Sequence, residues 1–293
     1  MDIGLIFALL SAVSLAGQLV FIRKGTLQAG ESFTAMLIFV FIGTLFFSPV
    51  LIFSVDWDKL WSLSWHGFVL LGIAGIINFV VGRLLVFSCT QFIGANKASP
   101  LVATSAFYAV IFGVLLLNEP FTVYLGLGVL GIVIGVTLVS IKKEEKTSRM
   151  RGRGILSGLA GAFCFGISGV LIKAVIEEVG SPFVSAFTSY IAAALVMGII
   201  LLLCKGQRNQ LTQLNRTALI PLVLAGIFGT VGQLFRYLAY SYSPLSVVEP
   251  LLSTFILFVF FLSFLINRKI EAFTWKVFIG MMAIVAGTFL LFN

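Results

Sequence analysis

The chain has 293 residues, of which 60% are hydrophobic and only 10% charged, whereas a soluble domain carries about 25% charged and about 45–50% apolar residues. That composition leaves too little polar surface for a water-soluble globule, is too apolar for disorder, and has apolar runs too long for the alternating strands of a membrane β-barrel. The formal charge of +8 is thinly spread over connections between apolar runs, which reads as a topology signal rather than a nucleic-acid surface.

A spanning helix takes about 20 residues, and apolar runs bounded by charged or turn residues predict ten of them. The first half holds Ile3–Ile22, Phe33–Phe53, Gly67–Phe87, Ala98–Leu117 and Phe121–Ile141. The second holds Gly154–Ala174, Pro182–Leu203, Ala218–Tyr240, Ser246–Ile266 and Thr274–Phe292. Each must be helical, because lipid offers backbone groups no hydrogen-bond partner. The first run directly follows Met1-Asp2 and is long enough to span, so it reads as a membrane helix rather than a cleaved signal peptide. Trp57, Trp61, Trp65 and Trp275 flank span ends, as in an interfacial belt. The longest polar stretch, Lys142–Arg153, joins the halves. Fourteen basic residues fall on that loop's side of the membrane and two, Lys59 and Lys173, on the other. The positive-inside rule then places Lys142–Arg153 in the cytoplasm and both termini outside.

The halves repeat with an offset of 150 residues. Gly4–Ala12 resembles Gly154–Ala162; Arg23 matches Lys173, Gly82 matches Gly232, and Pro100 matches Pro250. After a two-residue slip, Glu119-Pro120-Phe121-Thr122 matches Glu271-Ala272-Phe273-Thr274. Five helices per half is an odd number, so the second half enters from the opposite side. The expected fold is therefore an all-α polytopic membrane protein of ten transmembrane helices, built as two inverted five-helix repeats. Residues 1–141 form the first repeat, 142–153 the basic connecting loop and 154–293 the second repeat. Inverted repeats characterise secondary transporters, which place the substrate near the bilayer midplane between the halves.

The motifs Gly94-Ala95-Asn96-Lys97-Ala98-Ser99-Pro100-Leu101, Asn118-Glu119-Pro120-Phe121-Thr122 and Gly128…Gly135 are echoed by Ser243–Leu251 and Glu271–Thr274. Together they resemble the drug/metabolite transporter superfamily, EamA family, over nearly the whole chain. The resemblance implies a small-metabolite carrier, often an exporter, in the cell membrane. It also implies cytoplasmic termini, opposite to the charge bias.

An ionisable group inside the bilayer costs roughly 2.5–3.5 kcal/mol and marks a functional candidate. Three lie clearly inside spans rather than at a span end: Arg83, Arg236 and Glu249. At 1.5 Å per residue, Arg83 lies roughly 8 Å and Arg236 roughly 10 Å from the midplane, on opposite sides. Glu249 shares Arg236's side, and the short connection allows them to pair. A structural salt bridge and a substrate- or proton-released pair both fit. For Arg83, snorkelling to the interface stands against bidentate binding of a substrate carboxylate or phosphate. Gln18, Asn78, Gln233, Tyr237 and Tyr240 complete the candidate substrate-binding set, although each alone is as readily an interhelical hydrogen bond. Pro100 and Pro250, early in helices 4 and 9, are candidate gating positions.

The three cysteines and single histidine fit no disulfide framework or metal site, and no acid–base or nucleophile set suggests an enzyme. No cofactor is expected. The expected partners are a small-molecule substrate and the lipid bilayer, with no nucleic acid; a monomer is expected, and proton or ion coupling and a homodimer stay open. Three functions remain: a secondary carrier, and exporter, of a small polar or zwitterionic metabolite such as an amino acid; a lipophilic-drug exporter; and a non-transporting lipid-binding or sensor protein.

Overall fold

The computed structural model describes residues 3–29, 32–54, 57–117, 123–124, 127–128, 131, 134–135, 148–212, 214–271 and 273–290. In chain order the helices are α1 (Ile3–Ala29), α2 (Ser32–Ser54), a short α3 (Trp57–Trp61), α4 (Trp65–Gly75), a π-helical stretch (Ile76–Gly82), α5 (Arg83–Ile93), α6 (Ala95–Ala103) and α7 (Ser105–Leu117). The second half contributes α8 (Ser148–Val179), α9 (Pro182–Leu203), α10 (Lys205–Thr212), α11 (Arg216–Tyr242), α12 (Leu245–Ser253), α13 (Phe255–Ile266) and α14 (Trp275–Leu290). Among the described residues, eight helices are long and apolar enough to cross a membrane, and Val277–Gly287 is a shorter apolar one. Most of the fifth apolar run and residues 142–147 of the connecting loop lie outside the described residues, as does the Asn118–Thr122 motif.

Local chemistry sets the helix ends. The Ser64 hydroxyl accepts the Gly67 N–H at 2.9 Å to open α4, and Ser181 accepts from Val184 at 3.4 Å ahead of Pro182 at the start of α9. Both are side-chain caps on otherwise orphaned donors. The first helix runs on to Ala29, past the expected end at Ile22. The buried Thr26 hydroxyl returns its proton to the Ile22 carbonyl at 2.8 Å, so a polar residue does not stop the helix. In the same way α8 starts at Ser148, so residues 148–153 of the polar connection are helical.

Glycines let the two halves interlock. Gly17 and Gly25 of α1 face Phe228 and Leu222 of α11, and Gly229 and Gly232 of α11 face Gln18 and Leu15 of α1. The Ser11 hydroxyl donates to the Gly232 carbonyl at 2.8 Å. The same arrangement holds in reverse, with Gly158 and Gly161 of α8 against Cys89 and Val86 of α5. Each repeat's first helix thus packs on the third span of the other, which is how small residues bring membrane helices together. Gly131 and Gly135 pack against Gly287, Ile284 and Gly280 of α14 within the same chain, so that glycine face is already occupied.

Two spans each carry one tightened turn within an otherwise continuous helix. Between α6 and α7 the Thr104 N–H turns back to the Leu101 carbonyl at 3.3 Å, and its hydroxyl bonds the same oxygen at 2.6 Å. Between α12 and α13, Thr254 repeats this to Leu251 at 3.1 and 2.7 Å. Each tightened turn falls four residues after a proline, Pro100 or Pro250, which lies inside the preceding helix.

Candidate functional site: a charged cavity between the repeats

The two tightened turns meet. The Ser253 hydroxyl, shared with the Glu249 carbonyl at 3.1 Å, donates to the Ala103 carbonyl at 3.4 Å. Residues 103 and 253 are equivalent under the 150-residue offset. Equivalent positions can touch only near an axis relating the repeats, so this contact marks that axis. The cavity beside it is lined by the equivalent pairs Leu15/Phe165, Val86/Arg236, Val102/Leu252 and Ser105/Phe255, with Gln18, Leu19, Arg83, Glu249 and Ser253. It straddles the axis. About 50 Å³ is open to water centres there, enough for roughly three to five waters at about 10–15 Å³ each.

Arg83 owes its aim to the π-helical stretch before it. Its backbone N–H donates to the Asn78 carbonyl five residues back, and the widened turn re-registers every later side chain. The guanidinium points inward and donates from Nη1 to Gln18 Oε1 at 2.6 Å. It lies 4.8 Å from the Phe39 ring centroid and 5.0 Å from that of Phe165, so two cation–π contacts hold its plane. Snorkelling does not describe this side chain, which is 4% exposed.

Arg236 and Glu249 form the pair that the short connection allowed. Arg236 Nη2 donates to Glu249 Oε1 at 2.7 Å, Arg236 Nε donates to the Tyr240 hydroxyl at 2.7 Å, and that hydroxyl donates to the same Glu249 oxygen. A Cβ on Gly169 of α8 would stand 3.0 Å from the Tyr240 oxygen and 3.4 Å from Arg236 Nη2. A glycine is therefore what lets α8 close over the triad.

Of the sequence candidates, Gln18, Arg83, Arg236 and Glu249 share the cavity wall, and Tyr240 joins them through the triad. Asn78 turns to α8, donating from Nδ2 to Ser168 Oγ at 2.8 Å. Gln233 is fully buried with neither amide atom hydrogen-bonded, and Gln18 Nε2 and Asn78 Oδ1 are likewise unbonded. Tyr237 is buried near Ser189. Pro100 and Pro250 do not line the cavity; Thr104 and Thr254 carry the tightened turns. Sequence reasoning missed Phe39, Phe165, Gly169 and both threonines. The threonines alone had a visible signal, as equivalent residues at a fixed distance from equivalent prolines.

The model of the EamA-like transporter family matches residues 2–141 and again residues 152–293. The chain belongs to the EamA-like transporter family. One match per half makes this EamA-like chain a two-repeat membrane transporter. No curated protein matches the chain. A solved crystal structure described only as that of a protein superposes with a TM-score of 0.67 over 97% of this chain and 94% of its own, at 17% identity. That likeness bears on the fold alone.

Proposed function

We propose that this EamA-like transporter is a secondary carrier, and an exporter, of a small polar or zwitterionic metabolite such as an amino acid. It works by alternating access between two inverted five-helix repeats that make ten spans in the cell membrane. The observation that carries this reading is the convergence of Arg83, Arg236 and Glu249 on one cavity at the inter-repeat axis. Two guanidiniums suit a carboxylate, and one carboxylate suits an ammonium group. In a lipophilic-drug exporter the arginines would face away from the cavity, and here they line it.

The narrow cavity represents a closed stage, from which either side opens by parting α6–α7 from α12–α13. Pro100 and Pro250 would serve as hinges, because each leaves the carbonyl four residues earlier without its helical donor. Glu249 is the proposed coupling acid. Its pair with Arg236 would part as the repeats move, so the two charges would separate within the transport cycle. A ligand screen by thermal shift on purified protein tests the substrate class, since only ligands of the folded state raise the melting temperature. Stabilisation by zwitterions or carboxylates, lost in Arg83→Ala, supports the reading; stabilisation by lipophilic cations alone overturns it. Glu249→Gln should abolish proton-driven accumulation and preserve exchange at equal pH, whereas full pH-dependent accumulation would remove Glu249 from coupling.

A further inference from the structure

The connection between α13 and α14 holds an acid that the cavity does not use. Glu271 lies outside the spans, yet its side chain is only 2% exposed. Its Oε1 accepts the Ala95 N–H at 2.7 Å and pairs with Arg23 Nε at 3.2 Å, while Oε2 accepts the Asn96 N–H at 3.2 Å. Gly94, at φ +90°, makes the turn into α6 and leaves room for the carboxylate; a Cβ there would stand 2.8 Å from Oε2. Arg23 is fixed to its own repeat through Nη1, which donates to the Gln91 carbonyl at 2.7 Å and the Thr90 carbonyl at 3.2 Å. One carboxylate of the second repeat therefore grips two elements of the first. The neighbouring Asn267 adds a third tie between the repeats, from Nδ2 to the Val20 carbonyl at 2.9 Å.

This cluster stands at one end of the cavity. Arg23 is four residues, about 6 Å, beyond the cavity residue Leu19, and Ala95 is seven residues, about 10 Å, ahead of Val102. The same end holds the start of α8, where Gly154 lies against Phe92 and Ile93, and with it the basic residues Arg151 and Arg153. The opposite end is built differently. Lys173, equivalent to Arg23, donates to the Tyr240 carbonyl at 2.7 Å, as Arg23 does to Thr90. Its carboxylate partner, however, is Glu177 of its own helix at 2.9 Å, with a side chain 57% exposed. Among the described residues, a buried carboxylate tie between the repeats is present at the α6 end only. Glu119, the sequence counterpart of Glu271, lies outside the described residues.

We propose that Glu271 is the latch of a gate: its grip on Arg23 and the start of α6 closes the cavity toward the side of the basic connections, and releasing it opens that side. The inference rests on the carrier reading only in supposing that the cavity opens. Removing the charge of Glu271 loses the ion pair and turns two charge-assisted hydrogen bonds into ordinary ones, which are roughly half as strong.

The test is the accessibility of a cysteine at the cavity, Leu19→Cys, in a background carrying Cys89→Ala, Cys164→Ser and Cys204→Ser. A membrane-impermeant maleimide is applied from either side of vesicles, with Arg151→Cys marking the side of the basic loop. Glu271→Gln should raise labelling from the marked side roughly fivefold or more, within the usual range of conformational coupling, and leave labelling from the other side unchanged. Gly94→Ala, which pushes the carboxylate away without removing it, should act in the same direction and decides the matter if Glu271→Gln does not fold. Unchanged labelling in a folded variant overturns the latch, as does a rise from both sides equally or from the unmarked side alone. The labelling needs no substrate: a rise without any detectable transport would keep the latch and defeat the carrier reading, and transport with unchanged labelling would do the reverse.

Discussion

Glu249→Ala is expected to destabilise the protein severely. Its Oε1 is the shared acceptor of Arg236 Nη2 and the Tyr240 hydroxyl, and all three residues are at most 5% exposed. Truncation strands the Arg236 guanidinium in an apolar setting, with the Tyr240 hydroxyl as its remaining partner at 2.7 Å. Breaking a buried ion pair from one side costs about 3–5 kcal/mol. At about 2–4 °C per kcal/mol, the melting temperature should fall on the order of 10 °C. The double variant Arg236→Met/Glu249→Leu removes both charges and keeps most of the volume, and such replacements are close to neutral. Its melting temperature should stay within about 5 °C of the parent. Thermal unfolding in detergent, followed by circular dichroism, measures all three proteins. The argument fails if Glu249→Ala melts with the parent, because the pair would then be effectively solvated. It fails equally if the double variant falls as far as the single one, because shape rather than charge would then set the cost.

Arg83→Lys should fold normally and transport poorly, since lysine keeps the charge but cannot bridge a planar anion bidentately; unchanged transport kinetics would remove Arg83 from the site. Gly169→Leu should displace Tyr240 and Arg236 at an overpacking cost of about 1–3 kcal/mol, abolishing transport while the chain still reaches the membrane; normal transport would contradict the close approach of α8 to the triad. The Lys142–Arg153 loop should resist a membrane-impermeant thiol reagent in intact cells when a cysteine is placed in it, and ready labelling would reverse the orientation. Burial holds the Glu271 carboxyl above the usual carboxylate range, against the opposing effects of Arg23, the Ala95 and Asn96 amides and Lys97. The folded state therefore binds that proton more tightly than the unfolded one, and stability present at low pH is lost as pH rises through the native pKa. Glu271→Gln should flatten that part of a plot of melting temperature against pH, and an identical slope in the variant would contradict it.

Spans and repeat were legible because lipid enforces them: apolar length is the signal, and a 150-residue offset survives in glycines and prolines at fixed places. The same offset, laid on the structure, locates the axis through Ala103 and Ser253. Arg83, Arg236 and Glu249 were legible as charges where charge is costly. Their partners were not. Phe39 and Phe165 are two phenylalanines among 30 in the chain, and nothing in the sequence separates the two that flank a guanidinium from those that face lipid. The π-helical turn at Ile76–Gly82 has no compositional mark, so the direction of Arg83 was open. Glu271 stands in a motif of the sequence, outside the spans. Burial by a tertiary contact with Gly94–Asn96, 176 residues away in sequence, cannot be read from local hydropathy.

Counterflow in proteoliposomes tests most directly the claim that a polar metabolite is exchanged at the axis between the repeats. Vesicles containing the purified chain are preloaded with single zwitterionic or anionic metabolites and supplied with trace labelled compound outside. At least one compound should accumulate transiently above the level in protein-free vesicles, and Arg83→Ala and Glu249→Ala/Arg236→Ala should each abolish that overshoot. Contradiction would come from an absence of overshoot across the panel, or from one confined to lipophilic compounds and insensitive to both substitutions.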